Sequence, residues 1–255
     1  MNDFFVGYLP VPPGIALFLR KVIPVLALLA VVVALLLVRG QGRYDQSSFE
    51  FGTLRTFEGV VTVQPYPALL VARPGDTGQV EPYSRYLLVG AGKRGADDLI
   101  AGFAGKMVKL RGQLIYRAGL TMVEVEPGSV TAAEGPAKGL PGTKRDVGIV
   151  TVTGEIVDSK CYLGVMNPGR GKVHRDCASR CLSGGVPPIF ITSDGRNQFL
   201  LAGTDGGRLR YEILRDFVAE PITVTGRLVQ RGEERILMIS PDTLRHPDSG
   251  LQARR

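Results

Sequence analysis

The sequence predicts an all-β protein, built as two tandem OB-like five-stranded barrels behind one N-terminal transmembrane helix. Three observations lead to this fold class. Residues 22–38 are uncharged and almost wholly aliphatic. The remainder contains most of the 33 glycines and 17 prolines, between short Val/Ile/Thr/Leu runs that are typical of strands joined by turns. Finally, two long segments of the chain resemble each other, which predicts a duplicated domain.

The aliphatic run at residues 22–38 is just long enough to cross a bilayer at about 1.5 Å per residue. Basic residues flank it, with Arg20 and Lys21 before it and Arg39 and Arg43 after it. A cleaved signal peptide is the alternative, but no small-x-small cleavage site follows the run. We therefore expect a single-pass anchor, preceded by an interfacial segment at residues 1–21 and followed by a linker at 39–48.

The two similar segments are residues 49–132 and 148–244, separated by a Gly/Pro-rich linker at 133–147. Their closing halves superpose almost without gaps, because Gly90 and Gly112 have nearly the spacing of Gly203 and Gly226. Each segment predicts five strands with a short helix between the third and fourth, the pattern of an OB-type barrel. In the second segment this helix is marked by apolar residues at every fourth position, namely Leu209, Ile213 and Phe217. The tail at 245–255 is expected to be disordered.

The second segment carries an insertion at residues 158–188 that the first segment lacks. It contains all three cysteines of the chain and one of its two histidines. If residues 172–182 are helical, His174, Cys177 and Cys181 share one face. Cys161 can fold back over that face through the turn at residues 168–171. Three sulfurs and one imidazole suit a tetrahedral Cys₃His site, with zinc as the first candidate among transition metals.

Other interpretations of the same residues stay open. An iron–sulfur centre with one histidine ligand is one alternative, and in a copper or haem site Met166 would be a weak fifth ligand. A disulfide from Cys161 to Cys177 or Cys181 would link the insertion covalently to the barrel and leave one free thiol. A redox-active thiol pair is the third interpretation. Basic residues around the cysteines would favour thiolates under the metal and redox interpretations alike, namely Lys160, Arg170, Lys172, Arg175 and Arg180.

Several motifs of the second segment resemble a group of small bacterial exported or membrane-anchored OB-like domains. They are Val152-Thr-Gly-Glu-Ile-Val-Asp158, Cys161-Tyr162, His174-x-x-Cys177-Ala-x-x-Cys181 and Val224-Thr-Gly-Arg-Leu-Val229. The resemblance implies an OB-like fold and export across the cytoplasmic membrane. It does not imply a reaction. We accordingly expect a bacterial cytoplasmic membrane protein whose soluble domains are periplasmic.

Composition and motifs narrow the function classes. The net charge of +7 is dispersed and aromatic residues are few, so nucleic acid is not expected as a partner. No nucleophile–base pair, phosphate loop or paired carboxylate stands out, so no catalytic residue is predicted. The leading hypothesis is a membrane-anchored metal- or metallocofactor-binding accessory protein that supports a membrane redox complex. Its expected partners are the lipid bilayer and a membrane or periplasmic protein. The alternatives are a thiol-disulfide redox protein and an interaction module with a structural disulfide.

Overall fold

The structure is a computed structural model that describes residues 7, 10–41, 47–73, 83–134 and 144–247. Its contacts divide the chain into two compact units, Met1–Gln46 and Ser47–Arg255. The predicted disordered tail at 245–255 lies outside the described residues from residue 248 onward, as does most of the predicted linker 133–147.

The first unit contains one long helix, α1 (Pro13–Gln41). It is longer than the predicted span of 22–38, because the helix takes in the basic pair Arg20 and Lys21 and continues past Arg39. Residues 13–40 are long and apolar enough to cross a membrane, a test that a signal sequence near the N-terminus would also pass. Pro24 lies inside this helix.

The second unit begins with a seven-stranded sheet, which we call the first sheet. Its strands are β1 (Ser47–Phe49), β2 (Arg55–Thr62), β3 (Ala68–Ala72), β4 (Tyr83–Val89), β5 (Met107–Arg117), β6 (Leu120–Val125) and β7 (Thr131–Ala132). The strand order is β1-β5-β2-β3-β4-β6, with β7 on β5 and an additional pairing between β5 and β6. All pairs are antiparallel except β4 with β6.

The following five strands form a closed barrel, in the order β10-β12-β11-β8-β9. They are β8 (Lys144–Asp158), β9 (Pro188–Thr192), β10 (Gln198–Gly203), β11 (Ile222–Arg231) and β12 (Glu234–Arg245). Again only one pair, β10 with β12, is parallel. The predictions of a mostly β chain and of a closed five-stranded barrel are confirmed. A second OB-like barrel in the first half stays a prediction.

Two boundaries differ from the predicted ones, and strand pairing explains both. β8 begins at Lys144, inside the predicted linker 133–147, because residues 144–146 pair with the end of β11. β12 extends to Arg245, which pairs with Thr223. The strands of the barrel are thus longer than their apolar cores, since backbone hydrogen bonds continue into polar ends.

The helices of the barrel lie between its strands. α2 (Arg175–Ser183) follows a short 3₁₀ helix (Lys172–His174), and a π-helical turn (Cys161–Val165) follows β8. The predicted amphipathic helix through Leu209, Ile213 and Phe217 is shorter than its apolar spacing suggested. It consists of α3 (Tyr211–Leu214) and a 3₁₀ turn (Arg215–Phe217), yet all three apolar side chains pack in the barrel core.

Three apolar cores hold the second unit together. One consists of side chains of the first sheet and the elements packed on it, and another lies within the barrel. The third joins the two, because side chains of the first sheet pack there against the π-helical turn and the barrel. Its fully buried members include Ile115, Met122, Leu163, Ile189 and Leu200. Cys161 and Cys181 belong to this third core, so the candidate site lies where the first sheet and the barrel, the two halves of the second unit, meet.

Candidate metal centre

The fold brings the three cysteines together. The Sγ atom of Cys161 lies 3.8 Å from that of Cys177 and 3.9 Å from that of Cys181. Cys161 opens the π-helical turn after β8, whereas Cys177 and Cys181 lie one turn apart on α2. Cys161 and Cys181 are buried, and Cys177 is half-buried. The predicted convergence of the three sulfur atoms is therefore present.

The spacing of the sulfur atoms fits a single metal ion. Zinc–thiolate bonds of about 2.3 Å at tetrahedral angles place two sulfur atoms about 3.8 Å apart. Both Sγ distances from Cys161 agree with this value. A disulfide requires an S–S distance of about 2.05 Å, and all three cysteines are free in this structure. The three thiols together can therefore hold one ion without a large rearrangement.

His174 is buried beside this group but contacts a carboxylate. Its Nε2 atom lies 2.8 Å from Oδ2 of Asp158, and Oδ1 of Asp158 accepts the backbone N–H of Cys161 at 2.8 Å. Asp158, Cys161 and His174 form a second group of possible ligands, which shares Cys161 with the first. Among the described residues, Nδ1 of His174 has no hydrogen-bond partner. His174 as the fourth ligand of a Cys₃His site stays a prediction.

A lysine in a turn of the first sheet contacts two of the thiols. Nζ of Lys93 donates a hydrogen bond of 2.7 Å to Sγ of Cys177 and lies 3.7 Å from Sγ of Cys181. Lys93 belongs to the turn after β4, residues 90–95, which we call the lysine loop. The sequence does not indicate this contact, because 84 positions separate Lys93 from Cys177. The only local signal is the glycine-rich sequence of the loop, Gly90-Ala-Gly-Lys-Arg-Gly95.

Two of the five basic residues of the insertion, Lys160 and Arg175, pair with carboxylates and not with the thiols. Lys160 is buried, donates to the carbonyls of Gly90 and Gly92 at 2.8 and 2.6 Å, and pairs with Glu124. Arg175 pairs with Glu220 at 2.6 Å. These two cations are thus neutralised by carboxylates, and the described cation in contact with the thiols is Lys93.

The charges of the site are coupled. The hydrogen bond from Cys161 lowers the pKa of the Cys181 thiol, and the positive charge of Lys93 lowers it further. That same hydrogen bond, together with burial, raises the pKa of Cys161, which keeps its proton. The hydrogen bond to Cys177 raises the pKa of Lys93, so its amine stays an ammonium. The geometry therefore places the sulfur atoms of Cys177 and Cys181 next to a fixed cation, an arrangement that favours thiolates and suits metal binding or thiolate chemistry.

The chain matches no protein-family model, no curated protein and no solved structure. The resemblance of the second segment to exported OB-like domains accordingly stays a prediction. The apolar helix, the barrel and the geometry of the cysteine group are the observations that bear on function.

Proposed function

We propose that this protein is a membrane-anchored metal-binding accessory protein, which holds one ion through Cys161, Cys177 and Cys181. The observation that carries the proposal is the pair of Sγ distances from Cys161, 3.8 and 3.9 Å, which match the edges of a mononuclear thiolate site. Zinc is the first candidate, since thiolates select zinc and other soft ions. The α1 helix supports a membrane anchor.

An accessory role follows from the surroundings of the thiols. Two of them are buried in an apolar core, which suits a structural or carrier site better than an open catalytic one. We infer that the first half and the barrel are OB-like copies, and that they present the ion on the periplasmic face of a bacterial cytoplasmic membrane. The partner would be a membrane or periplasmic protein, and a membrane redox complex is the context that we propose.

The test is elemental analysis with thiol counting on the full chain, purified in detergent under reducing conditions. We expect about one zinc ion per chain, with three thiols that react only after chelation. Cys161→Ser should abolish binding, because it removes the sulfur that is close to both others. Ser159→Ala, two residues away, is the matched control and should keep the ion. Metal-free protein with a quantitative disulfide would contradict the proposal.

His174→Ala belongs to the same experiment, because it separates a three-ligand from a four-ligand site. In the structure Nε2 of His174 is occupied by Asp158, so we expect the variant to keep its ion with a modest loss of affinity. Complete loss of the ion would instead establish His174 as the fourth ligand, with Asp158 orienting its ring.

A second candidate function is thiol-disulfide exchange, which the opposite pKa shifts of Cys161 and Cys181 favour. The lowered pKa of Cys181 beside the protonated Cys161 resembles the pairing of a nucleophilic and a resolving thiol. Oxidation would join two sulfurs and release two protons and two electrons to a disulfide acceptor. Rapid alkylation of one thiol near neutral pH, in protein without metal, would favour this function over the first.

A further inference from the structure

The cysteine group is assembled from both halves of the second unit, because the lysine loop of the first sheet reaches it. We propose that Lys93 is a positioning residue of the metal centre. Its ammonium group hydrogen-bonds the ligand thiolates and balances their charge, so that metal affinity depends on the docked lysine loop. This inference rests on the proposed metal binding and adds a residue from the first sheet to the site.

Charge balance supports this role of Lys93. Three thiolates around a divalent ion carry a net charge of minus one, and a net charge among buried groups is unfavourable unless it is paired. The ammonium of Lys93, 2.7 Å from Sγ of Cys177 and 3.7 Å from Sγ of Cys181, supplies one positive charge. Of the nearby cations, Lys160 and Arg175 are already paired with Glu124 and Glu220.

The lysine loop is held by hydrogen bonds on both sides of Lys93. On one side, Lys160 donates to the carbonyls of Gly90 and Gly92. On the other, the backbone N–H of Gly95 donates to the carbonyl of Gly184 at 2.8 Å, just beyond the end of α2. Since both contacts involve residues flanking the cysteines in the insertion, the loop holds a fixed position relative to the thiols.

The two backbones also approach each other closely. A Cβ atom on Gly184 would lie 1.9 Å from the carbonyl oxygen of Lys93, and one on Gly95 would lie 2.5 Å from that of Gly185. Only glycine permits this packing of the loop against the end of α2. Linkage makes the two equilibria reciprocal. If metal binding favours the docked loop, displacing the loop must weaken metal binding.

The experiment measures zinc affinity of the full chain in detergent by competition with a chelator. Lys93→Gln should weaken zinc binding by about 10- to 100-fold, the usual effect of losing an outer partner of a ligand. Lys93→Arg keeps the charge and should restore most of the affinity. Arg94→Ala, the next residue of the same exposed loop, is the matched control and should leave affinity unchanged.

Ionic strength separates a charge effect from a purely structural one. Lys93 is exposed, so the difference between the native chain and Lys93→Gln should narrow at about 1 M salt, where the Debye length is about 3 Å. Gly184→Ala provides a second route, since it displaces the loop without changing a ligand or a charged group. It should also weaken zinc binding.

The outcomes distinguish this inference from the proposed function. If the native chain binds one zinc ion and both Lys93→Gln and Gly184→Ala bind it equally well, the inference is wrong and the function stands. The inference is also wrong if Lys93→Gln binds zinc more weakly, Lys93→Arg does not restore the affinity, and salt does not change the difference from the native chain. A native chain that binds no zinc overturns both.

Discussion

At the scale of single residues, Asp158 organises the buried part of the site. It is fully buried, and its two carboxylate oxygens hold the ring of His174 and the backbone N–H of Cys161. The carboxylate thereby fixes where the π-helical turn begins, and with it the position of the first sulfur. A buried polar group that loses its partner costs about 1–3 kcal/mol, so two groups depend on this one side chain.

We predict that Asp158→Ala lowers the free energy of unfolding by about 2–4 kcal/mol, because it strands two buried hydrogen-bonding groups. Ser159→Ala is the matched control. Ser159 is equally buried, and its hydroxyl has no partner among the described residues, so its loss should change stability little. Chemical denaturation followed by far-UV circular dichroism measures both. Equal stability of the two variants would show that the Asp158 contacts contribute nothing.

The residue scale also shows how far the sequence predicts the site. Cys161, Cys177 and Cys181 were predictable, because two of them are one helical turn apart and the third follows a recognisable strand. Lys93 and Asp158 were not. Lys93 reaches the thiols only because the two halves pack together, and a single lysine in a glycine-rich turn carries no signal of that contact. Charge near the cysteines in sequence was a poor guide, since Lys160 is paired with Glu124.

At the scale of elements, four strand glycines lie at matching close contacts in the two sheets. A Cβ atom on Gly59 of β2 would lie 2.3 Å from a carbonyl oxygen of β3, and one on Gly154 of β8 would lie 1.9 Å from one of β9. The corresponding distances are 2.5 Å from Gly112 of β5 to β6 and 2.6 Å from Gly226 of β11 to β12. These contacts are what two copies of one barrel would have, although the duplication itself stays a prediction.

We predict that Gly59→Ala and Gly154→Ala each lower the free energy of unfolding by about 1–3 kcal/mol, since a methyl group must push two paired strands apart. Exposed neighbours are the controls. Glu58→Ala in β2 should stay within about 0.5 kcal/mol of the native chain. Thr153→Ala in β8 loses a cross-strand hydrogen bond to Thr223 and should cost at most about 1 kcal/mol. Thermal or chemical denaturation measures all four variants. A large loss for Gly154→Ala with none for Gly59→Ala would argue against equivalent strands.

Element lengths were less predictable than element types. Short apolar runs indicated the strands, but β8 begins in the predicted linker because its polar end pairs with β11. The opposite occurs at α3, where apolar spacing predicted a longer helix. The chain tightens there into a 3₁₀ turn, and Ala219 then takes a positive φ of 54°. Backbone pairing and turn geometry decide such boundaries, and neither is visible in side-chain periodicity.

At the scale of the whole molecule, the first sheet and the barrel depend on each other. They share an apolar core, and several polar contacts cross between them. Lys160 makes three of them, with its side chain 3 % exposed, its ammonium paired with Glu124 and two further bonds to the lysine loop. The two halves therefore form one cooperative body around the cysteine group, although the sequence treats them as separate domains joined by a linker.

The ion pair between the buried Lys160 and the partly buried Glu124 gives the sharpest test of this dependence. Removing one member of a buried ion pair leaves the other charge uncompensated and costs about 3–5 kcal/mol. We predict a loss of this size for Lys160→Met, measured as the free energy of unfolding by chemical denaturation. Lys172→Met, an exposed lysine of the same insertion, is the matched control and should change stability by less than about 0.5 kcal/mol.

The double variant Lys160→Met with Glu124→Leu then decides between charge and packing. Replacing both members by apolar residues removes the uncompensated carboxylate, so most of the lost stability should return. The carbonyls of Gly90 and Gly92 would still lack the lysine donor, and the lysine loop should dock less firmly. Zinc affinity should thus stay reduced in the double variant although its fold is restored. If stability and zinc affinity recover together, the lysine loop is held by packing alone, and the contacts of Lys160 do not connect the first sheet to the metal centre.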